Sequence, residues 1–328
     1  MSGMKTKWDI PTRETNRSFL DITVEKMVGL TPNPAQDSVA IEEPLEIQLG
    51  YGSMNARAMK SISVTMRTPG DDFELAAGFL MTEGVVRDAA DIERIAYPAM
   101  GDDDAAQEEA NETDKELKSA LPYQPRRNVV RVELAPDVEV SLANLERNFY
   151  TTSSCGICGK ASLLALRSVC PPRRSSSFSI GAELLYTLPD RLREAQRVFD
   201  RTGGLHGAGL FDSAGMLLML REDVGRHNAV DKLLGAQFLA DRTPLRDTLL
   251  LLSGRASFEL LQKALMGGIP MVASVGAPSS LAVQVAREFN IVLIGFLREN
   301  RFNIYHGADR IHGHISTLDE RVKRETTH

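Results

Sequence analysis

The stretch Thr248 to Phe296, TLLLLSGRASFELLQKALMGGIPMVASVGAPSSLAVQVAREFNIVLIGF, decides the fold class. Its runs Thr248 to Leu252, Pro270 to Val275 and Ile291 to Phe296 are apolar at nearly every position, without the alternation of a strand that has one wet face. Between them, Phe258 to Met266 and Ser279 to Phe289 carry apolar residues at helical spacing. Upstream the rhythm continues with a strand over Met216 to Leu220 and a helix over Arg226 to Leu239. Strands buried on both faces, alternating with helices of about ten residues, predict an α/β fold: a mixed, mostly parallel sheet covered by helices.

In such sheets ligands collect at the carboxyl ends of the strands. Those ends are Glu222 to Asn228, Ser253 to Ser257, Gly276 to Ser280 and Phe296 to Arg301. Each is polar, small or cationic, and three of the four open a helix, where backbone amides point at anions. The candidate binding residues are therefore Arg226, His227, Ser253, Gly254, Arg255, Phe296, Leu297, Arg298, Glu299, Asn300 and Arg301, with the four arginines forming a phosphate-binding crest. Taken singly, each has a plain structural reading as a turn glycine, a helix cap or a solvated end. The chain has neither G-x-G-x-x-G nor a Walker A sequence, so the commonest nucleotide loops are absent. A further glycine-rich turn, Thr202 to Ala208, holds His206, which reads equally as an acid-base group or as a packed histidine.

The amino-terminal part has a different pattern. Residues 1–38 are polar and read as a flexible segment, with order beginning near Val39. Val39 to Leu49 and Arg57 to Arg67 form a hairpin around Gly50 to Asn55. Asp71-Asp72-Phe73-Glu74 resembles a capping box opening a helix that runs through Met81 and stops at Gly84, and Asn128 to Leu134 is another strand. Residues 101–118 hold eight carboxylates and two lysines, which account for the whole formal net charge of −6. With almost no apolar side chains they form a solvated loop. The expected division is thus a flexible segment 1–38, a smaller β-rich α+β part 39–150, an α/β domain 151–310 and a tail 311–328.

Two of the three cysteines stand in Ser153-Ser154-Cys155-Gly156-Ile157-Cys158-Gly159-Lys160. Cys-Gly-x-Cys-Gly surrounds Cys155 with small residues, and Lys160 and the amides of a helix start over Gly159 to Leu166 favour its thiolate, the nucleophilic form. Sulfur chemistry is the leading reading, with Cys155 and Cys158 as the candidate catalytic pair. Two buried hydrophobes, a redox pair and a zinc site are the competing readings. A zinc site wants four ligands, and no second Cys or His pair has the required spacing, so no permanently bound metal is expected.

At 328 residues and 43% hydrophobic content the chain can bury a large core. An odd cysteine count argues against a disulfide framework and for a reducing compartment. No stretch approaches the roughly 18 apolar residues of a membrane span, so a cytoplasmic protein without membrane or nucleic-acid partners is expected.

Taken together these segments resemble the FdhD family, the accessory sulfurtransferases of formate dehydrogenase. The resemblance rests on Glu42-Glu43-Pro44-Leu45-Glu46, Arg67-Thr68-Pro69-Gly70 with Phe79 to Gly84, the cysteine turn, Thr202 to His206, Arg221 to Lys232 (REDVGRHNAVDK), Leu252 to Arg255, Ala277 to Ala282 and Gly295 to Arg298. It implies a cytidine deaminase-like fold and a homodimer. It also implies that a cysteine desulfurase passes sulfur to Cys155 as a persulfide, with Cys158 assisting. The sulfur then goes to the molybdenum or tungsten of a bis(molybdopterin guanine dinucleotide) cofactor, a bound substrate held on Phe296 to Arg301, before its insertion into formate dehydrogenase. A cofactor-binding chaperone without sulfur transfer is the alternative. A zinc hydrolase is disfavoured because His206 is followed by Gly207-Ala208 rather than x-Glu. The chain departs from the family pattern in the long acidic insert and at Gly207, where alanine is common.

Overall fold

The computed structural model describes residues 18–98, 128–136, 138–140, 166, 170 and 176–313. In chain order its first elements are β1 (Phe19–Val28), β2 (Thr31–Ala40), β3 (Glu43–Tyr51), β4 (Ala58–Arg67), α1 (Asp72–Thr82), β5 (Ile92–Ala96) and β6 (Val129–Leu134). There follow β7 (Ile180–Gly181), α2 (Ala182–Ala195), α3 (Arg197–Thr202), β8 (His206–Phe211), β9 (Leu217–Asp223) and α4 (Arg226–Leu239). The last are β10 (Leu249–Leu252), α5 (Phe258–Met266), β11 (Met271–Ser274), α6 (Ser280–Glu288), β12 (Val292–Arg298), β13 (Arg301–His306) and β14 (Ile311–His312). They fall into two compact units. One comprises Met1–Cys170, Gln196–Ala208 and Arg221–Thr243, the other Pro171–Ala195, Gly209–Leu220 and Pro244–His328. This differs from the division at 150/151, because residues 196–208 and 221–243 group with the amino-terminal strands.

In the first unit a four-stranded sheet runs in the order β4-β3-β6-β5. The β3–β4 hairpin is antiparallel, as its turn residues predict, and β3 pairs in parallel with β6. Alternation along β3 buries Leu45, Ile47 and Leu49, while Glu46 and Gln48 stay half-buried. The sheet supports α1, and α1 packs along α4. That crossing is unusually close. A Cβ on Gly78 would lie 2.9 Å from the Gly235 amide nitrogen, and one on Gly235 2.6 Å from that of Gly78, so only glycine at both positions lets the helix backbones touch.

Two expectations fail in this unit. Residues 19–38, expected to be flexible, and Val39 and Ala40, expected to open the first hairpin strand, form an antiparallel ribbon, β1 with β2, closed by the two-residue turn Gly29-Leu30. Leu20, Ile22 and Val24 alternate with exposed Asp21, Thr23 and Glu25. Pro32 and Pro34, which made the segment look unstructured, are tolerated because each strand of a two-stranded ribbon has a free edge. The capping box at Asp71 is also absent: Asp71 has φ 56° and makes no side-chain cap bond. The neighbouring carboxylate of Asp72 instead accepts from Arg67 at 3.0 Å, and Glu43 closes the other side of that buried guanidinium at 3.2 Å. Asp71 and Glu74, the two ends of the expected box, meet Arg221 at 3.5 Å and 2.8 Å.

The second unit is the predicted α/β part. A six-stranded sheet has the order β13-β12-β11-β10-β8-β9, with residues 209–211 of β8 and 217–220 of β9 in this unit. Its centre, β10-β11-β12, is parallel, and β13 adds an antiparallel edge. Leu249, Leu251, Met271, Ala273, Val292 and Ile294 pack in one core cluster with Leu185, Leu188 and Leu192 of α2. Full burial of each large aliphatic side chain contributes about 1.5–3 kcal/mol before entropy is counted. Helices α4 and α5 have the predicted limits; α6 runs from Ser280 to Glu288, one residue inside each predicted end. Absent from the sequence reading in this unit are β7, α2, which holds Pro189 in its interior, β8, whose first residues read as a turn, β13 and β14.

Because the α1–α4 crossing has no room for a methyl group, Gly78→Ala and Gly235→Ala should each lower stability in urea by about 1–3 kcal/mol. Gly181→Ala, with nothing within 4 Å of the added Cβ, should stay within about 0.5 kcal/mol of the parent.

Candidate functional site

Predicted binding residues occur in both units. In the second, the sheet's ladder continues past the strand ends. Val275 N donates to Leu252 O at 3.0 Å, Gly276 N to Gly254 O at 2.9 Å and Phe296 N to Gly276 O at 3.1 Å. Ala256 donates to Ala277 O and accepts from Ser279 N, whose own hydroxyl caps α6 through Ala282 N at 3.2 Å. Ser253, Gly254 and Arg255, residues 276–279 and Phe296 are therefore tied into one rim. Gly295 is held there by contact, since a Cβ would lie 2.7 Å from Pro278 Cδ and 3.0 Å from the Tyr305 ring.

Beyond Gly295 the β12–β13 register shifts, with Gly295 opposite Asn303 and Arg298 opposite Arg301. The extra residue is absorbed at Phe296, whose φ is 55°. For a bulky side chain that is an outlier, and holding it costs about 1–3 kcal/mol. The residue nevertheless keeps 37% of its surface exposed, so burial offsets that cost only in part. Arg298, Glu299, Asn300, Arg301 and Arg255 are exposed on this rim. Leu297 corrects the sequence reading: it is buried in the core cluster and anchors the bulge from below, so its side chain does not face a ligand.

In the first unit, Arg226 and His227 open α4, and the rest of their motif is structural. Asp223, with no exposed surface, lies 2.7 Å from Lys232 Nζ, which also donates to Thr68 O at 2.8 Å. The Asp223 carboxylate accepts further from Thr68 N, Gly225 N and Asn228 Nδ2. Asn228 donates to Met66 O, and Asp231 accepts from Thr82 Oγ1. Arg221 pairs with Glu74 at 2.8 Å, and Glu222 caps α3 through Val198 N and Phe199 N. REDVGRHNAVDK thus spends most of its polar residues on folding, leaving Arg226 and His227 half-buried. Arg226 Nε is buried with no hydrogen-bond partner among the described residues, a donor suited to an anion.

His206 begins β8 and is half-buried. Burial lowers its pKa below the ordinary 6.5, electrostatic interaction with Arg226 and His227 lowers it further, and Asp223 opposes them. It is a neutral imidazole at neutral pH. Cys155, Cys158, the helix start at Gly159 and the acidic segment 101–118 lie outside the described residues. Among the described residues no group of three His, Cys, Asp or Glu side chains is placed to hold a metal ion. Sequence reasoning missed Thr68, Asp223 and Lys232 as a unit, and also Ser274. The one signal for Ser274 was a hydroxyl inside an apolar strand.

The profile of the FdhD/NarQ family matches residues 40–312. The sulfur carrier protein FdhD of Streptomyces coelicolor is 50% identical over 277 residues, covering 84% of this chain and 89% of that protein. Its counterpart in Mycobacterium tuberculosis is 49% identical over 276 residues, covering 84% and 92%. A crystal structure of a putative formate dehydrogenase accessory protein from Desulfotalea psychrophila superposes with a TM-score of 0.63 at 22% identity, covering 90% of this chain and all of that one. That likeness is one of fold.

The depressed His206 value carries a stability consequence. The folded state holds this imidazole neutral, so below pH 6.5 the unfolded state binds more protons and stability falls with pH. Urea midpoints measured from pH 7.5 to 5 should decline, and His206→Gln should flatten that decline.

Proposed function

The chain belongs to the FdhD/NarQ family, and we propose that it is a sulfurtransferase that carries sulfur on Cys155. The observation that carries the reading is half-identity, over most of both chains, to proteins named sulfur carriers, together with the Cys155-Gly-x-Cys158-Gly turn. The Cys155 thiolate attacks the outer sulfur of a cysteine desulfurase persulfide. The donor's S–S bond breaks, a new one forms on Cys155, and the donor cysteine leaves as thiolate, so no external oxidant or reductant is required. The acceptor is the metal of a bis(molybdopterin guanine dinucleotide) cofactor, a substrate destined for formate dehydrogenase.

The chain's own residues suit an anionic dinucleotide. Arg255, Arg298 and Arg301 are exposed on the rim of the second unit, where a planar guanidinium can grip phosphate with two hydrogen bonds. In the first unit, Arg226 Nε at the start of α4, without a partner among the described residues, fits the same chemistry. Local cationic groups do this in an acidic protein, since the net charge sits in residues 101–118.

Incubation with a cysteine desulfurase and cysteine should add one or more sulfur atoms to Cys155 by mass spectrometry. Cys155→Ala should abolish loading and formate dehydrogenase maturation, while Cys170→Ser should be nearly silent. Normal maturation by Cys155→Ala would leave only a cofactor chaperone. Guanosine diphosphate, mimicking one cofactor arm, should bind. Arg298→Ala and Arg301→Ala should each weaken it by about 1.5 to 3 kcal/mol, roughly tenfold to a hundredfold.

A further inference from the structure

Ser274 ends β11, a strand otherwise made of Met271, Val272 and Ala273, and has no exposed surface. A buried hydroxyl is unfavourable unless it is hydrogen-bonded. Its oxygen lies 3.0 Å from Gly276 O and 3.2 Å from Ile294 O, and its single hydrogen serves one of them at a time. Both acceptors bracket Phe296. Gly276 O takes the Phe296 amide, and Ile294 stands two residues before Phe296 on β12. The hydroxyl therefore joins the exit of β11 to the last regular residues of β12, immediately before the bulge.

We propose that Ser274 is a positioning residue that locks Phe296 in its left-handed conformation, so that the ring stands on the rim as a preformed flat platform for a nucleobase. This rests on the reading that the rim takes a guanine nucleotide. A bulge residue with positive φ favours glycine, which has no Cβ to strain. Phenylalanine at this place is strained while more than a third of it stays exposed, so burial offsets the strain only in part. Such strain persists only where the surroundings over-determine the backbone. Here three constraints do so: the Ser274 hydroxyl, the Phe296 amide bond to Gly276, and Gly295 wedged against Pro278 and Tyr305. Arg255 and Arg298 are exposed on the same tied segments as Phe296, which suits a ligand with a flat base and a phosphate.

The test uses the full chain, with guanosine diphosphate and pyrophosphate as probes in calorimetry. Ser274→Ala should weaken guanosine diphosphate about tenfold, the order expected of a base–aromatic stack, and leave pyrophosphate, which has no base, unchanged. Phe296→Gly should raise the melting temperature by relieving the strain, yet weaken the nucleotide at least as much. A ligand-free arm follows the ring itself. In a Trp8→Phe background, Phe296→Trp fluorescence should become more mobile, by anisotropy, when Ser274→Ala is added. If that anisotropy and the nucleotide affinity are both unaffected by Ser274→Ala, the positioning role is overturned while the nucleotide reading stands. If the parent protein does not bind guanosine diphosphate, the nucleotide reading falls and takes the platform's purpose with it. Phe296→Gly that melts lower than the parent would refute the strain on which the inference depends.

Discussion

The backbone contact between α1 and α4 at Gly78 and Gly235 constrains everything else in the first unit. Two helices that touch without side chains between them bring carbonyls and amides into a place water cannot reach, so every neighbouring polar group needs a partner. The buried Asp223–Lys232 pair meets that demand. It ties the start of α4 to Thr68, while Asn228 ties it to Met66 at the end of β4. Replacing such a pair by apolar residues can be neutral, but removing one partner is costly. The network therefore serves to fix one register of α4 against β4. A consequence is that Arg226 and His227, flanked by fully committed residues, are left half-buried at the helix start.

The second unit solves a different problem. Parallel strands buried on both faces end abruptly, and their last carbonyls and amides would be orphaned without continued pairing. The loops after β10, β11 and β12 supply it to one another through Gly254, Gly276 and Phe296, with Ser274 buried underneath. A rim held by its own backbone bonds leaves the side chains of Arg255, Arg298 and Arg301 exposed, and the proposed binding chemistry is placed at this edge for that reason. Leu297, one residue from exposed Phe296, shows how finely that edge is divided between core and surface.

Much of this was legible. The limits of α4 and α5 followed from the alternation of helical segments with strands, and β10, β11 and β12 from apolar runs too short for helices. The β1–β2 ribbon was not, because its two prolines and polar composition satisfy the same criteria as an unstructured segment, and only cross-strand pairing distinguishes them. Helix α2 was not read, although Leu185, Leu188 and Leu192 sit at helical spacing around Pro189. Asp71 failed as a cap: it stands at φ 56°, and its carboxylate lies 3.5 Å from Arg221, which also takes Glu74.

By itself the sequence determined the class of the carboxyl half, the order of its strand-end loops and the presence of a thiol between glycines, because composition and spacing within about ten residues suffice for these. It could not determine which charged residues fold the chain and which face a ligand. Arg221, Asp223, Arg226 and Lys232 stand within twelve residues of one another, and only Arg226 keeps a donor without a partner among the described residues. The partners that claim the others lie far along the chain, Thr68 being 155 residues from Asp223 and Glu74 147 from Arg221. Only the tertiary structure brings those groups together, since burial and pairing are properties of contacts in space and not of neighbours in sequence.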